Sequence, residues 1–112
     1  MDFITPADFH QLDVRVGTVK AAAPFPEAKK PALRLTIDFG AELGLRESSA
    51  QITRRYRPED LVGTQVLAVV NLPPKRIGPF TSECLVLGLV PSQGDVILIR
   101  PEWPAPDGTR LA

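Results

Sequence analysis

Apolar and polar positions alternate with a period of two along much of this 112-residue chain. The cleanest case is LRLTIDFG (33–40), where Leu33, Leu35, Ile37 and Phe39 share one face and Gly40 stops the run. VRVGTVKAA (14–22) alternates as well, with Gly17 inside it. A glycine within a strand marks a bulge or a close backbone approach. QVLAVVNL (65–72) and CLVLGLV (84–90) are nearly continuous apolar runs, the pattern of strands buried on both faces. DVILIR (95–100) follows the turn PSQG, and SSAQIT (48–53) is a weaker strand. Helical signals are short. TPADFHQ (5–11) offers Thr5 as cap, Pro6 at the first helical position and Asp8 in the first turn. RPEDLVG (57–63) reads as one turn that starts at Pro58 and closes at Gly63.

Five or six short strands with one-turn helices predict an all-β fold. Twelve prolines, placed mostly in connections, oppose a helical bundle, because proline costs about 3 kcal/mol inside a helix. A five-stranded barrel of the oligonucleotide/oligosaccharide-binding (OB) type has this size and segment content, with a short N-terminal helix and a proline-rich C-terminal extension. An SH3-like barrel or a small sandwich fits the pattern too. The length suits one domain over residues 1–112, and no repeat or linker interrupts it.

Composition adds little until its distribution is considered. The 44% hydrophobic and 23% charged content is that of an ordinary globular protein, and the net charge is zero. Residues 46–76 nevertheless carry a local balance of +3, against −1 for residues 1–45 and −2 for residues 77–112. Such a basic middle is either a binding stripe or a set of charges balanced in three dimensions by the acidic ends. No stretch is long and apolar enough for a membrane span, so no membrane insertion is expected. The start MDFITPADFHQLD lacks the features of a secretory leader, and a single cysteine excludes an intrachain disulfide. A cytoplasmic location is the expectation.

Catalytic groups are sparse. His10 is the only histidine and Cys84 the only cysteine, and nothing near either one would orient a proton transfer. One of each is too few for a common zinc site, and no Walker loop or glycine fingerprint is present. The expectation is a protein that is not an enzyme, with no metal and no cofactor.

Three features suggest binding instead. RRYR (54–57) sets Arg54, Arg55 and Arg57 around Tyr56, where guanidinium groups suit phosphates and the ring suits a base. NLPPKRIGPF (71–80) separates two apolar runs with three prolines, and sets Lys75 and Arg76 beside Phe80. FPEAKKP (25–31) holds Phe25 and two prolines around Lys29 and Lys30.

DVRVGTVKAA near the start, NLPPKRIGPFTSECLVLG in the middle and a final DG..LA together resemble the tRNA-binding domain family, a group of OB-folds also found appended to methionyl-tRNA synthetases. FPEAKKPALRLTIDFG, SSAQIT and AVVNLPPKRIGPFTSECLVLG are most similar to the export-related chaperone members of that family. The resemblance implies a homodimeric OB-fold without catalytic activity. It implies binding of unfolded or precursor polypeptides and work beside the export machinery. Related members bind tRNA through the basic barrel face, and in them the loop after the strand-ending Asn reads more like NLKPRKMRG. In this sequence proline replaces a lysine, and Ile77 and Phe80 add apolar surface. That departure favours polypeptide over nucleic acid.

The expected peptide site is therefore an apolar cleft of Phe25, Leu72, Ile77 and Phe80 with Lys29 and Lys30 at its rim. The alternative is a structure-directed tRNA binder using Arg54, Arg55, Tyr56, Arg57, Lys75 and Arg76. Ser82-Glu83 match the family's step after the loop, where the resemblance assigns them to holding backbone. Phe3, Ile4, Phe9, Trp103 and Leu111 are the residues expected in a dimer interface.

Overall fold

The period-two stretches become strands, and their apolar sides become the core. A computed structural model describes all of residues 1–112. Its elements in chain order are α1 (Pro6–His10), β1 (Val14–Pro24), β2 (Leu33–Asp38), α2 (Gly40–Leu43), β3 (Leu45–Ala50), α3 (Pro58–Leu61), β4 (Gln65–Val69), β5 (Lys75–Ile77), β6 (Phe80–Ser82), β7 (Leu85–Val86), β8 (Gly88–Ser92) and β9 (Asp95–Leu98). Five of the strands form an antiparallel sheet in the order β3-β2-β1-β4-β7. β5–β6 and β8–β9 are separate hairpins. This is a small OB-type barrel.

The sheet closes between its two outer strands. The Glu83 N–H donates to the Glu47 carbonyl at 2.7 Å, and the Ser48 hydroxyl donates to the Cys84 carbonyl at 2.9 Å. Ser82 and Glu83 extend this seam with side chains. The Ser82 hydroxyl oxygen accepts from the Ser49 N–H, and the Glu83 carboxylate accepts from the Glu47 N–H, both at 3.1 Å. These bonds match the backbone-holding role expected of the pair.

Leu33, Leu35, Ile37 and Phe39 all point into the barrel, joined by Val19, Leu61, Val66 and Ala68. Gly17 provides the close approach predicted for it. A Cβ there would lie 2.6 Å from the Ile37 Cγ2 and 2.8 Å from the Phe39 ring. The bulge in β1 falls later, between Val19 and Ala21. The C-terminal tail folds back and occupies the free edge of the first half of β1. The Val16 N–H donates to Thr109, and the N–H groups of Gly108 and Leu111 donate to Val16 and Val14. Gly108 permits that turn with φ +91°, and a Cβ there would meet the Phe39 carbonyl at 2.5 Å.

Two sequence expectations need correction. CLVLGLV is not one strand buried on both faces: it breaks into β7 and the start of β8, and Leu85, Leu89 and Val90 are exposed. The physical reason is that β7 sits at the end of the sheet, so only part of the run has a packed neighbour. NLPPKRIGPF, expected as a loop stiffened by proline, is partly a regular hairpin. Its second half forms the β5–β6 hairpin, in which Ile77 pairs with Phe80 around Gly78, whose φ is +57°.

Helix α1 forms with the predicted capping box. The Asp8 N–H donates to the Thr5 hydroxyl, and the Asp8 carboxylate accepts from the Thr5 N–H, both at 3.1 Å. It buries none of its residues. Phe3 is 93% exposed and Trp103 75% exposed.

Candidate functional site

Two segments far apart in sequence meet at a pair of phenylalanines. Phe25 comes from the loop after β1 and Phe80 from β6. Their rings lie edge to face with centroids 5.2 Å apart. Together with Ala32 they form a second small core, with Ala28 and Ile77 packed against it. Both phenylalanines are buried, at 3% and 4% exposure. Against the expectation, neither lines the apolar groove beside the hairpin, and only Phe80 borders a small hollow. An aromatic ring held on a short hairpin is better satisfied by a partner ring than by water, so the two loops fold onto each other.

This contact has an electrostatic consequence. Lys29 and Lys30 on the Phe25 loop and Lys75 and Arg76 on the hairpin are all exposed, on the two segments that meet at the phenylalanine pair. None of the four makes an ion pair. Arg76 is tied within the hairpin, donating to the Gly78 carbonyl at 2.8 Å and the Thr81 hydroxyl at 3.0 Å.

RRYR behaves in the opposite way. Arg55 forms a two-pronged ion pair with Asp95, whose carboxyl is held below its usual range mainly by that hydrogen bond. Arg54 reaches the Gln93 carbonyl at 3.4 Å, and Arg57 lies 3.8 Å from both Glu59 and Asp60. Tyr56 is half-buried against the core, and its hydroxyl accepts the Leu98 N–H at 3.0 Å. The picture of three free guanidinium groups around a stacking ring is thus corrected. Asp95 of the β8–β9 hairpin pairs with Arg55, and Glu59 and Asp60 of α3 lie near Arg57, while Arg54 has no carboxylate partner.

Beside the β5–β6 hairpin lies a groove of about 540 Å³, walled by residues 49–52, by Leu72, Pro73, Lys75 and Ile77, and by residues 82–88 with Val90 and Val96. Ten of its seventeen lining residues are hydrophobic, which makes it an apolar channel with a polar edge. Leu72, Lys75 and Ile77 are among its lining residues, whereas Phe25, Phe80, Lys29 and Lys30 are not. Leu85, Val86, Val90 and Val96 were not foreseen, because their apolar runs read as closed core.

Cys84 also borders this groove but is buried, and burial pushes its thiol from the ordinary 9.0 up to about 11. The folded state thus disfavours the thiolate. The stability associated with the neutral thiol is complete below pH 9. It is lost as pH rises toward 11, by up to about 3 kcal/mol. Urea midpoints measured from pH 8 to 11 should fall more steeply for the parent protein than for Cys84→Ala. Parallel curves would refute this.

Residues 14–110 match the family described as "Putative tRNA binding domain". The chain belongs to the tRNA-binding domain family. Its domain is similar to a segment of methionine–tRNA ligases, at 38% identity over 104 residues for Porphyromonas gingivalis and 39% over 108 residues for Salinibacter ruber. It covers 93% and 96% of itself in those matches but spans only about 15% of the ligases' length. Among solved structures, several small proteins match over nearly their whole length. The chaperone CsaA from Bacillus anthracis superposes with a TM-score of 0.94 at 56% identity, covering 99% of this chain and all of that one. The CsaA chaperone protein from Picrophilus torridus gives 0.91 at 44%, covering 98% of this chain and all of that one. A MetRS-related protein from Pyrococcus horikoshii gives 0.87 at 30%, covering both chains fully.

Proposed function

We propose that this protein is a non-catalytic, export-related chaperone that binds unfolded or precursor polypeptides as a homodimer in the cytoplasm. The observation that carries this reading is the open apolar groove beside the hairpin, rimmed by Lys75. An apolar channel gains about 25 cal/mol for each Å² it covers and asks for no particular sequence, which suits a binder of many clients. The likeness to two CsaA chaperones over nearly the full chain supports the same reading. The unpaired Lys75 in the groove lining would speed encounter with acidic clients.

The purified protein should suppress aggregation of a chemically unfolded client and bind presequence peptides at micromolar concentration. Ile77→Asp, at a half-buried groove wall, should weaken peptide binding by roughly tenfold or more, because it exchanges apolar contact for a charge. Neither activity in the parent protein would sink the proposal.

A second reading is structure-directed tRNA binding. It is favoured by the family match and by the unpaired Lys29, Lys30 and Lys75 around the hairpin. It predicts a tRNA gel shift at low salt, with log K falling against log salt at a slope steeper than about −2. The neutralised Arg55 contributes little to such a surface, so the contacts would fall on the hairpin side.

A further inference from the structure

Arg34 is not among the binding residues expected from the sequence; it lies on the outward face of β2 between two core leucines. Its guanidinium lies over the Phe25–Phe80 pair, 4.7 Å from the Phe80 centroid and 5.8 Å from that of Phe25. Cation–π contact of this kind fixes the plane of the group but uses none of its five N–H donors.

The other arginines show how unusual that is. Arg15, Arg55, Arg57 and Arg110 pair with carboxylates, and Arg46, Arg54 and Arg76 donate to carbonyl or hydroxyl oxygens. Only Arg34 and Arg100 do neither, and Arg100 is exposed. Arg34 is half-buried with its whole donor fork unused. It opens into a hollow of about 220 Å³, whose floor is Ala21, Ala22 and Ala23 and whose sides include Thr36 and Phe80. Small side chains on the floor leave room for a ligand to approach the fork. Glu47 also lines the hollow, but it lies beyond ion-pair distance of Arg34.

The hollow and the apolar groove share the β5–β6 hairpin as a wall. Phe80 lines the hollow, whereas Ile77 and Ser82 line the groove. Phe80 and Ser82 are two residues apart on one strand, about 7 Å. A client segment seated in the groove can therefore reach Arg34 within a few residues of its apolar stretch.

We propose that Arg34 is a carboxylate-binding anchor for client polypeptides, accepting an Asp or Glu side chain or a free C-terminal carboxylate that flanks the apolar segment. This rests on the reading that the groove binds polypeptide. A guanidinium fork matches a carboxylate with two parallel hydrogen bonds, and its stacked position avoids the ordering cost of a free arginine.

The test uses fluorescent peptides with one apolar core, followed by Glu or by Gln, each with a free or amidated C-terminus. The parent protein should bind the amidated Glu peptide about tenfold more tightly than the amidated Gln peptide. If a terminal carboxylate is the preferred source, the free-acid Gln peptide shows the gain instead. Arg34→Met keeps an apolar cover over the phenylalanines and should abolish the preference while leaving the neutral peptide's affinity unchanged. Arg34→Lys should retain only part of it. Equal binding of all four peptides by the parent overturns the Arg34 assignment alone, and so does a preference that survives in Arg34→Met. Failure of every peptide to bind the parent overturns the groove reading together with it. A tRNA gel shift that is lost in Arg34→Met, with no carboxylate preference in the parent, would make Arg34 a phosphate contact and overturn the proposal.

Discussion

Phe80→Ala should lower the stability of this protein by about 3 kcal/mol, the low end of the range for removing a buried phenylalanine ring. For a domain of this size that corresponds to a fall in melting temperature of roughly 10–20 °C. The ring is 4% exposed, meets Phe25 edge to face and lies under Arg34. Removing it leaves the Phe25 ring without its partner and the β5–β6 hairpin without its anchor. Only three residue pairs hold that hairpin together, and hairpins of this size have marginal stability alone. The same substitution should therefore separate Lys75 and Arg76 from Lys29 and Lys30, and so weaken whichever acidic ligand the surface takes. Phe80→Leu should recover most of the stability. Urea unfolding monitored by circular dichroism measures this directly. A change within about 0.5 kcal/mol, typical of an exposed position, would mean that the ring does not pack as described.

The double substitution Phe3→Ser with Ile4→Ser should convert a dimer to a 12.2 kDa monomer in sedimentation at micromolar concentration. In a single copy these residues have no packing role: Phe3 is 93% and Ile4 71% exposed, and α1 buries nothing. A five-residue helix is not expected to persist on propensity alone. The arm is nevertheless held in place, because Arg110 donates to the carbonyls of His10 and Leu12. An anchored arm that presents apolar side chains to solvent is suited to a second copy. In a two-fold interface each substitution counts twice. With about 2 kcal/mol for each apolar side chain, the dissociation constant should rise at least a thousandfold. A parent protein that already sediments as a monomer at this concentration would contradict the homodimer.

Much of the barrel is legible in the residues themselves. Leu33, Leu35, Ile37 and Phe39 alternate so regularly that only a half-buried strand satisfies them, and all four are core. Thr5, Pro6 and Asp8 announce α1 by local hydrogen-bond chemistry, which needs no tertiary partner. Local rules fail where burial depends on a distant neighbour. CLVLGLV has the composition of a doubly covered strand, yet it runs off the end of the sheet and leaves Leu89 and Val90 in solvent.

The candidate site divides in the same way. Leu72, Ile77 and Lys75 stand out through the odd mixture of proline, charge and apolar residues between two strands, and they do border the groove. The state of each arginine does not show in the same way. Arg55 reads as free and is paired, because Asp95 arrives from 40 residues away. Arg34 reads as an ordinary outward-facing charge and is the one half-buried guanidinium without an acceptor, because Phe80 lies 46 positions further on.

Side-chain periodicity, capping and turn chemistry act over a few residues, so the residues alone were enough to specify an all-β class with β1, β2, β4, α1 and α3. The choice of the OB barrel came from the family resemblance. Charge pairing and ring stacking depend on which segments the closed sheet brings within a few ångströms. Such a contact pairs Arg55 with Asp95 from the β8–β9 hairpin, so the run at 54–57 carries less free charge than its sequence suggests. Other contacts set Arg34 over the Phe25–Phe80 pair and leave Lys29, Lys30, Arg34 and Lys75 without a carboxylate partner.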